Sequence, residues 1–122
     1  MKIYTSYFAN YRNFPIGSLM VGITCFPPNS SMINVRELAP SADLLRDYKN
    51  HTIDEYMFKM RYLNELRERD ITPEKVKNIL NVIATEEQCN GDIILCCYEK
   101  PNEFCHRHIL AEWLGDGEIT EL

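Results

Sequence analysis

A chain of 122 residues is long enough for one hydrophobic core and hardly for two, so we expect one domain over residues 1–122. Its 45% hydrophobic and 25% charged residues exclude a disordered chain, and no apolar run approaches the roughly 20 residues that span a bilayer. The net charge of −5 argues against a broad nucleic-acid surface.

The N-terminus has no apolar segment before a cleavage site, which predicts that there is no secretory signal. The five cysteines are an odd number, and two of them are adjacent in an apolar run. A secreted disulfide framework has a different pattern. We therefore expect a cytoplasmic protein with reduced thiols.

Two strands are predicted in the first part of the chain. Residues 2–7, KIYTSY, are rich in β-branched and aromatic residues, which favour a strand. Residues 19–25, LMVGITC, predict a second strand, which the prolines that follow bring to an end.

Two helices are predicted next. Ser41 can cap a short helix, and Thr52 with Glu55 forms a capping box before a longer helix that runs to about Arg69. Apolar residues at helical spacing predict the buried face of the longer helix. That face comprises Ile53, Tyr56, Met57, Met60, Leu63 and Leu66.

The second half of the chain predicts two more helices and two more strands. Thr72 and Pro73 are typical of the start of a helix, with Thr as the cap and Pro in the first turn. Residues 92–98, DIILCCY, predict a strand, and a last helix is predicted over residues 105–114. Residues 118–122 can add an edge strand.

The apolar run at residues 92–98 also predicts the fold class. A strand that is apolar without alternation is buried on both faces, which is typical of the centre of a covered, mostly parallel sheet. We therefore predict an α/β fold in which helices flank a small, mostly parallel sheet, in a Rossmann-like layered architecture.

Glu99 and the tripeptide Cys105-His106-Arg107 are the first candidates for a functional site. In open α/β sheets, ligands bind beyond the carboxyl ends of the strands, where helices present their N-termini. Glu99 follows the predicted central strand, and the tripeptide opens the last helix. His106 is the one polar member of an otherwise apolar helical face that continues through Ile109, Leu110, Trp113 and Leu114. We therefore expect His106 to point inward.

These residues also carry a family resemblance. The segment LCCYEKPNEFCHRHILAEWL closely resembles the signature of the domain of unknown function 488 family, and the segments KIYTSYFANY, LAPSADLLRDYK and DEYMFKMRYLNEL agree with it. The resemblance is closest to a short, single-domain branch found in bacteria and their phages. It implies an α/β sandwich and no settled reaction. The site that it implies comprises Cys97, Glu99, Cys105, His106 and Arg107.

Each candidate residue has a chemical role and a structural alternative. Glu99 and His106 suit general acid–base work, or they are a solvated carboxylate and a histidine at the edge of the core. Cys105 lies at a helix N-terminus, where the helix dipole lowers the pKa of a thiol, so it is a nucleophile or core packing. Arg107 holds an anion, or it makes a weak surface ion pair. If Arg107 holds an anion, we expect Arg107→Ala to abolish ligand binding and hardly to change the melting temperature.

Thr5, Ser6 and Tyr7 are candidate substrate-binding residues. They end the first predicted strand, which would place them beside Glu99 if the two strands are parallel. Their hydroxyls could bind a phosphate or sugar, or could simply cap the strand.

Three established kinds of site fit the sequence poorly. Zinc needs ligands that converge, whereas His106 and His108 diverge on a helix, and Cys105 with His108 supplies only two ligands. A tyrosine-phosphatase loop is excluded because Glu103 and Ala111 stand where Arg is required after Cys97 and Cys105. Nothing indicates the loop that rhodanese chemistry uses. No motif demands a metal or an organic cofactor.

We therefore predict an enzyme that acts on a small anionic or nucleotide-like substrate in a strand-end pocket. The alternative is a binding module that recognises a nucleotide, a modified base or a protein without turnover. Catalysis requires a strongly perturbed pKa in the pocket, whereas binding requires only complementary charge. The sequence predicts no membrane partner and does not indicate an oligomeric state.

Overall fold

Four parallel strands form one sheet. In chain order they are β1 (Ile3–Tyr7), β2 (Leu19–Gly22), β3 (Ile93–Cys97) and β4 (Thr120–Glu121). The structure, a computed structural model, describes residues 1–115 and 119–122. Within them the sheet has the order β2-β3-β1-β4 and every pairing is parallel. The predicted edge strand is therefore present at residues 120–121, and residue 118 lies outside the described part of the chain.

Four α-helices connect and cover these strands: α1 (Ala42–Lys49), α2 (Glu55–Glu68), α3 (Pro73–Glu86) and α4 (His106–Gly115). The described residues also form two 3₁₀ helices, Phe8–Asn13 and Arg36–Leu38. The prediction of an α/β fold with a parallel sheet flanked by helices is confirmed. In the described residues, no helix is long and apolar enough to cross a membrane.

All five residues of β3 are buried, as the unbroken apolar run predicted. Ile93 and Leu95 belong to the main core, to which all four α-helices contribute buried side chains. Ile94 and Cys96 face the other side of the sheet, where they pack with Phe8 of the first 3₁₀ helix. Strand β3 therefore packs against a hydrophobic core on each face of the sheet.

Two of the predicted helix caps are present. The Leu44 amide donates to Ser41 Oγ at 3.1 Å, and the Lys75 amide donates to Thr72 Oγ1 at 3.2 Å. Such contacts satisfy amides that have no partner within the helix. Helices α1 and α3 therefore begin where the sequence predicted.

The predicted start of α2 is wrong. Asp54, not Thr52, is the cap, and its carboxylate accepts from the Met57 amide at 2.8 Å. The Thr52 amide instead donates to the Asp47 carbonyl, so Thr52 belongs to the turn that follows α1. The capping box with Glu55 does not form because Glu55 is the first residue of the helix.

The predicted buried face of α2 is correct at Ile53 and Leu66, which are buried, and at Leu63, which packs against the core, but it is wrong at Tyr56, Met57 and Met60. The helix buries Phe58, Tyr62 and Leu66, whereas Met57 and Met60 are about half exposed. The Tyr62 hydroxyl donates to the Leu38 carbonyl at 2.6 Å, and this buried contact helps to fix the rotation of the helix.

The parallel register brings the carboxyl ends of three strands to one edge of the sheet. Tyr7 at the end of β1 lies opposite Cys97, and Gly22 at the end of β2 lies opposite Cys96. The chain leaves β3 at this edge and returns to it at the start of α4. Segments from opposite ends of the sequence therefore meet here.

Candidate functional site

The site is built by the chain between β3 and α4. The loop of residues 98–104 contains a tight turn, in which the Glu103 amide donates to the Lys100 carbonyl at 3.0 Å. Cys105 directly precedes α4, and both Cys105 and His106 are buried. The first turn of α4 is thereby held against the ends of the strands.

Cys97 and Cys105 lie with their sulfur atoms in direct contact, although their Cα atoms are 7.8 Å apart. The expectation of free thiols holds for Cys25, Cys89 and Cys96 and does not hold for this pair. Seven residues separate the pair in sequence, and the short loop brings the end of β3 and the start of α4 together.

His106 points inward, as its place on the apolar face of α4 predicted. Its Nε2 atom lies 2.6 Å from the Ile23 carbonyl, which can only accept a hydrogen bond, so Nε2 carries the proton. Its Nδ1 atom lies 3.7 Å from Cys105 Sγ, and the Tyr62 ring packs against the imidazole. Burial, helped by the nearby positive charge of Arg107, lowers the pKa of His106 to about 4 against the opposing effect of the Ile23 hydrogen bond. The imidazole is thus neutral, with an unprotonated nitrogen facing the cysteine.

Arg107 is fully buried, with a side-chain exposure of 0%. Its Nε and Nη2 atoms donate to the two carboxylate oxygens of Glu121 at 3.1 and 2.8 Å. Its Nη1 atom donates to the Glu99 carbonyl at 2.6 Å and to Cys97 Sγ at 3.1 Å. The guanidinium therefore joins β3, α4 and β4. The interpretation of Arg107 as an open anion-binding residue or a weak surface pair does not match this geometry.

Glu121 is the main residue of the site that the sequence did not reveal. Besides Arg107, its carboxylate accepts a hydrogen bond from the Thr5 hydroxyl at 2.6 Å. Burial alone would raise the pKa of Glu121, but the hydrogen bonds from Arg107 and Thr5 outweigh this effect and lower it. No motif surrounds Glu121, and only the predicted edge strand indicated that this segment reaches the sheet.

Thr5, Ser6 and Tyr7 end β1, as predicted, but they do not line the pocket that contains Glu99. Thr5 and Ser6 are buried, and the Ser6 hydroxyl donates to the Leu122 carbonyl at 3.3 Å. Their hydroxyls therefore hold the last residues of the chain against β1.

Glu99 lies on the wall of a pocket of about 260 Å³. Cys105 and His106 line the same pocket, so the predicted proximity of Glu99 and His106 is present. The wall is largely aromatic and aliphatic, with Glu103 and Lys49 as the other charged groups. Its remaining members are Leu45, Tyr48, Phe58 and Phe104.

The aromatic side chains of this pocket pack against one another. The rings of Tyr48 and Phe104 are stacked with centroids 5.0 Å apart, and Phe58 meets both rings edge to face. Helices α1 and α2 and the loop of residues 98–104 thus each supply one ring. A flat apolar ligand would find complementary surfaces here.

Within residues 1–115 and 119–122, one group of side chains brings three potential metal ligands together. The potential ligand atoms of Cys97, Cys105 and His106 all lie within 4.8 Å of one another. The sequence argument against zinc paired Cys105 with His108, whereas the fold brings Cys97 and His106 to Cys105. In the reduced protein, this arrangement allows either thiol chemistry at Cys105 or metal binding.

These features define an α/β protein with a buried cysteine–histidine centre beside a strand-end pocket. The model of the DUF488-N3a family, described as the active DUF488-N3 subclade, matches residues 28–117. The chain therefore belongs to the domain of unknown function 488 family, as its motif indicated. No curated protein and no solved structure is significantly similar to it.

Proposed function

We propose that this protein is an enzyme that acts on a small, nucleotide-like substrate in the Glu99 pocket. Glu99 is the general acid–base residue, and Cys105 with His106 forms the reactive centre on the inner wall. The observation that carries the proposal is that these three residues line one open pocket at the carboxyl edge of a parallel sheet.

The lining of the pocket favours a flat ring system over an isolated phosphate. Three aromatic rings form one side, and the charged groups at the wall are Glu99, Glu103 and Lys49. Carboxylates accept hydrogen bonds from the amino and ring N–H groups of a base. Since Arg107 is occupied by Glu121, Lys49 is the cation among the described residues of the wall that can meet an anionic group of the substrate.

The description of the subclade as active supports catalysis over simple binding. The same proposal places the protein in the reducing cytoplasm, where Cys97 and Cys105 are reduced like the free thiols of Cys25, Cys89 and Cys96.

The test is consumption of substrate from a cell metabolite extract and a nucleotide panel, followed by mass spectrometry. We expect the wild-type protein to consume at least one nucleotide-like compound. Glu99→Gln should retain binding and lose about 100-fold or more in rate, because it removes the acid–base group but keeps the shape.

Glu103→Gln is the matched control, since it removes a carboxylate from the same pocket wall. It should retain most of the rate. A compound that the wild-type protein binds in the pocket without consuming it would identify a binding module instead. Equal rates for the wild-type protein and Glu99→Gln would remove Glu99 from the mechanism.

A further inference from the structure

The proposed function leaves open what Cys97 contributes beside Cys105 and His106. Cys97 is buried and does not line the pocket, yet its sulfur atom contacts that of Cys105. Thiolate sulfur and imidazole nitrogen are the ligands that zinc prefers in proteins. We infer that Cys97, Cys105 and His106 bind one zinc ion.

The spacing of Cys105 Sγ and His106 Nδ1 suits a tetrahedral ion. Cys105 Sγ and His106 Nδ1 are 3.7 Å apart. Ligands at about 2.3 Å (sulfur) and about 2.0 Å (nitrogen) from one zinc ion are separated by roughly 3.5 Å. The Nδ1 atom is free to bind because Nε2 carries the proton.

The backbone spacing of the two cysteines also favours a shared ion. Their Cα atoms are 7.8 Å apart. Cysteines joined by a disulfide have Cα atoms about 4.4–6.8 Å apart. Two thiolates on one zinc ion, each at about 2.3 Å, are roughly 3.8 Å apart, so the two sulfur atoms separate when the ion binds.

The groups around the cluster are those that usually orient metal ligands. The Ile23 carbonyl fixes the His106 ring through Nε2, and Arg107 Nη1 donates to Cys97 Sγ at 3.1 Å. The charges of the groups around the zinc ion also cancel one another. Two thiolates offset the charge of the ion, and Glu121 offsets that of Arg107.

Three protein ligands leave one position of the zinc ion for water or substrate, as in catalytic zinc sites. Cys105 and His106 line the Glu99 pocket, so a substrate in that pocket would lie beside the zinc ligands. The metal site goes beyond the proposed function. It is inferred from the contacts of Cys97, Cys105 and His106, and it does not depend on whether the protein converts a substrate.

The experiment measures metal in the full chain, purified with a reductant and without chelators. We expect one zinc per chain by elemental mass spectrometry. Titration of the metal-free protein with Co²⁺ should produce a thiolate-to-cobalt charge-transfer band. Cys97→Ser and His106→Ala should each weaken Co²⁺ binding by about 10-fold or more.

Cys96→Ala is the matched control, because Cys96 is the adjacent buried cysteine on the other face of the sheet. It should bind Co²⁺ as the wild-type protein does. If a ligand variant does not fold, the wild-type protein still answers the question. Its melting temperature should fall when a chelator removes the metal and recover when zinc is added.

Any of three results would overturn the site: reduced protein that binds neither zinc nor Co²⁺, equal Co²⁺ affinity in Cys97→Ser and Cys96→Ala, or a Cys97–Cys105 disulfide that persists in reductant. Metal binding is measured without substrate. Its failure is therefore distinct from a failure of the Glu99→Gln test.

Discussion

Replacing Glu121, the second-last residue, by Ala is expected to lower the free energy of unfolding by about 3–5 kcal/mol. The reason is that Arg107, at 0% side-chain exposure, would lose its only carboxylate partner among the described residues. A buried charge without a counter-charge is far more costly than a lost surface pair. Urea unfolding of the variant and the wild-type protein measures the difference.

Glu112→Ala is the control for this prediction. Glu112 has an exposed side chain and forms an ion pair with Lys59 at 3.7 Å, which is worth about 0–1 kcal/mol. The double variant Arg107→Met with Glu121→Leu should recover most of the lost stability, since it removes both charges. A cost for Glu121→Ala no larger than that for Glu112→Ala would contradict the account of Arg107.

Phe58→Ala is expected to cost about 3–5 kcal/mol, whereas Met57→Ala should cost less than about 0.5 kcal/mol. The Phe58 side chain is 3% exposed and packs edge to face with Tyr48 and Phe104, whereas Met57 is 48% exposed. Thermal and urea unfolding of the two variants measure both values. The opposite ranking would mean that α2 is rotated as the sequence periodicity suggested.

The sequence predicted those elements whose local signals agree with one another. The apolar run of β3 identified a strand covered on both faces, and Thr72 with Pro73 marked the start of α3. The face of α4 that begins at His106 was correct because it contains a single polar residue. In each of these three elements, the sequence pattern is compatible with a single local structure.

In helix α2, the apolar pattern of the sequence does not identify the buried face. Its sequence carries two apolar faces, one through Met57 and Met60 and another through Phe58 and Tyr62. Periodicity alone does not determine which of the two faces is buried. The buried face is determined by tertiary contacts, namely the Tyr62 hydrogen bond to Leu38 and the aromatic contacts of Phe58.

The sequence predicted the site residues that lie close together in the chain. It did not predict their partners from distant parts of the chain. Glu99, Cys105 and His106 lie close in sequence, and the strand-end rule placed Glu99 and His106 at one concavity. The partner of Arg107 is Glu121 on β4, and that of the His106 ring is the carbonyl of Ile23, just beyond β2. The order of the strands creates both contacts, and no spacing in the sequence specifies that order.

Alkylation of the folded protein tests most directly whether the pocket reaches the reactive centre. The reduced, metal-free protein is treated with iodoacetamide, and each cysteine is followed by mass spectrometry. The account predicts rapid modification of Cys105, which lines the pocket, and slow modification of Cys96, which is buried on the other face of the sheet. Zinc or a bound substrate should slow the reaction of Cys105. A Cys105 that reacts as slowly as Cys96, and only after unfolding, would contradict the claim that this pocket is the functional site.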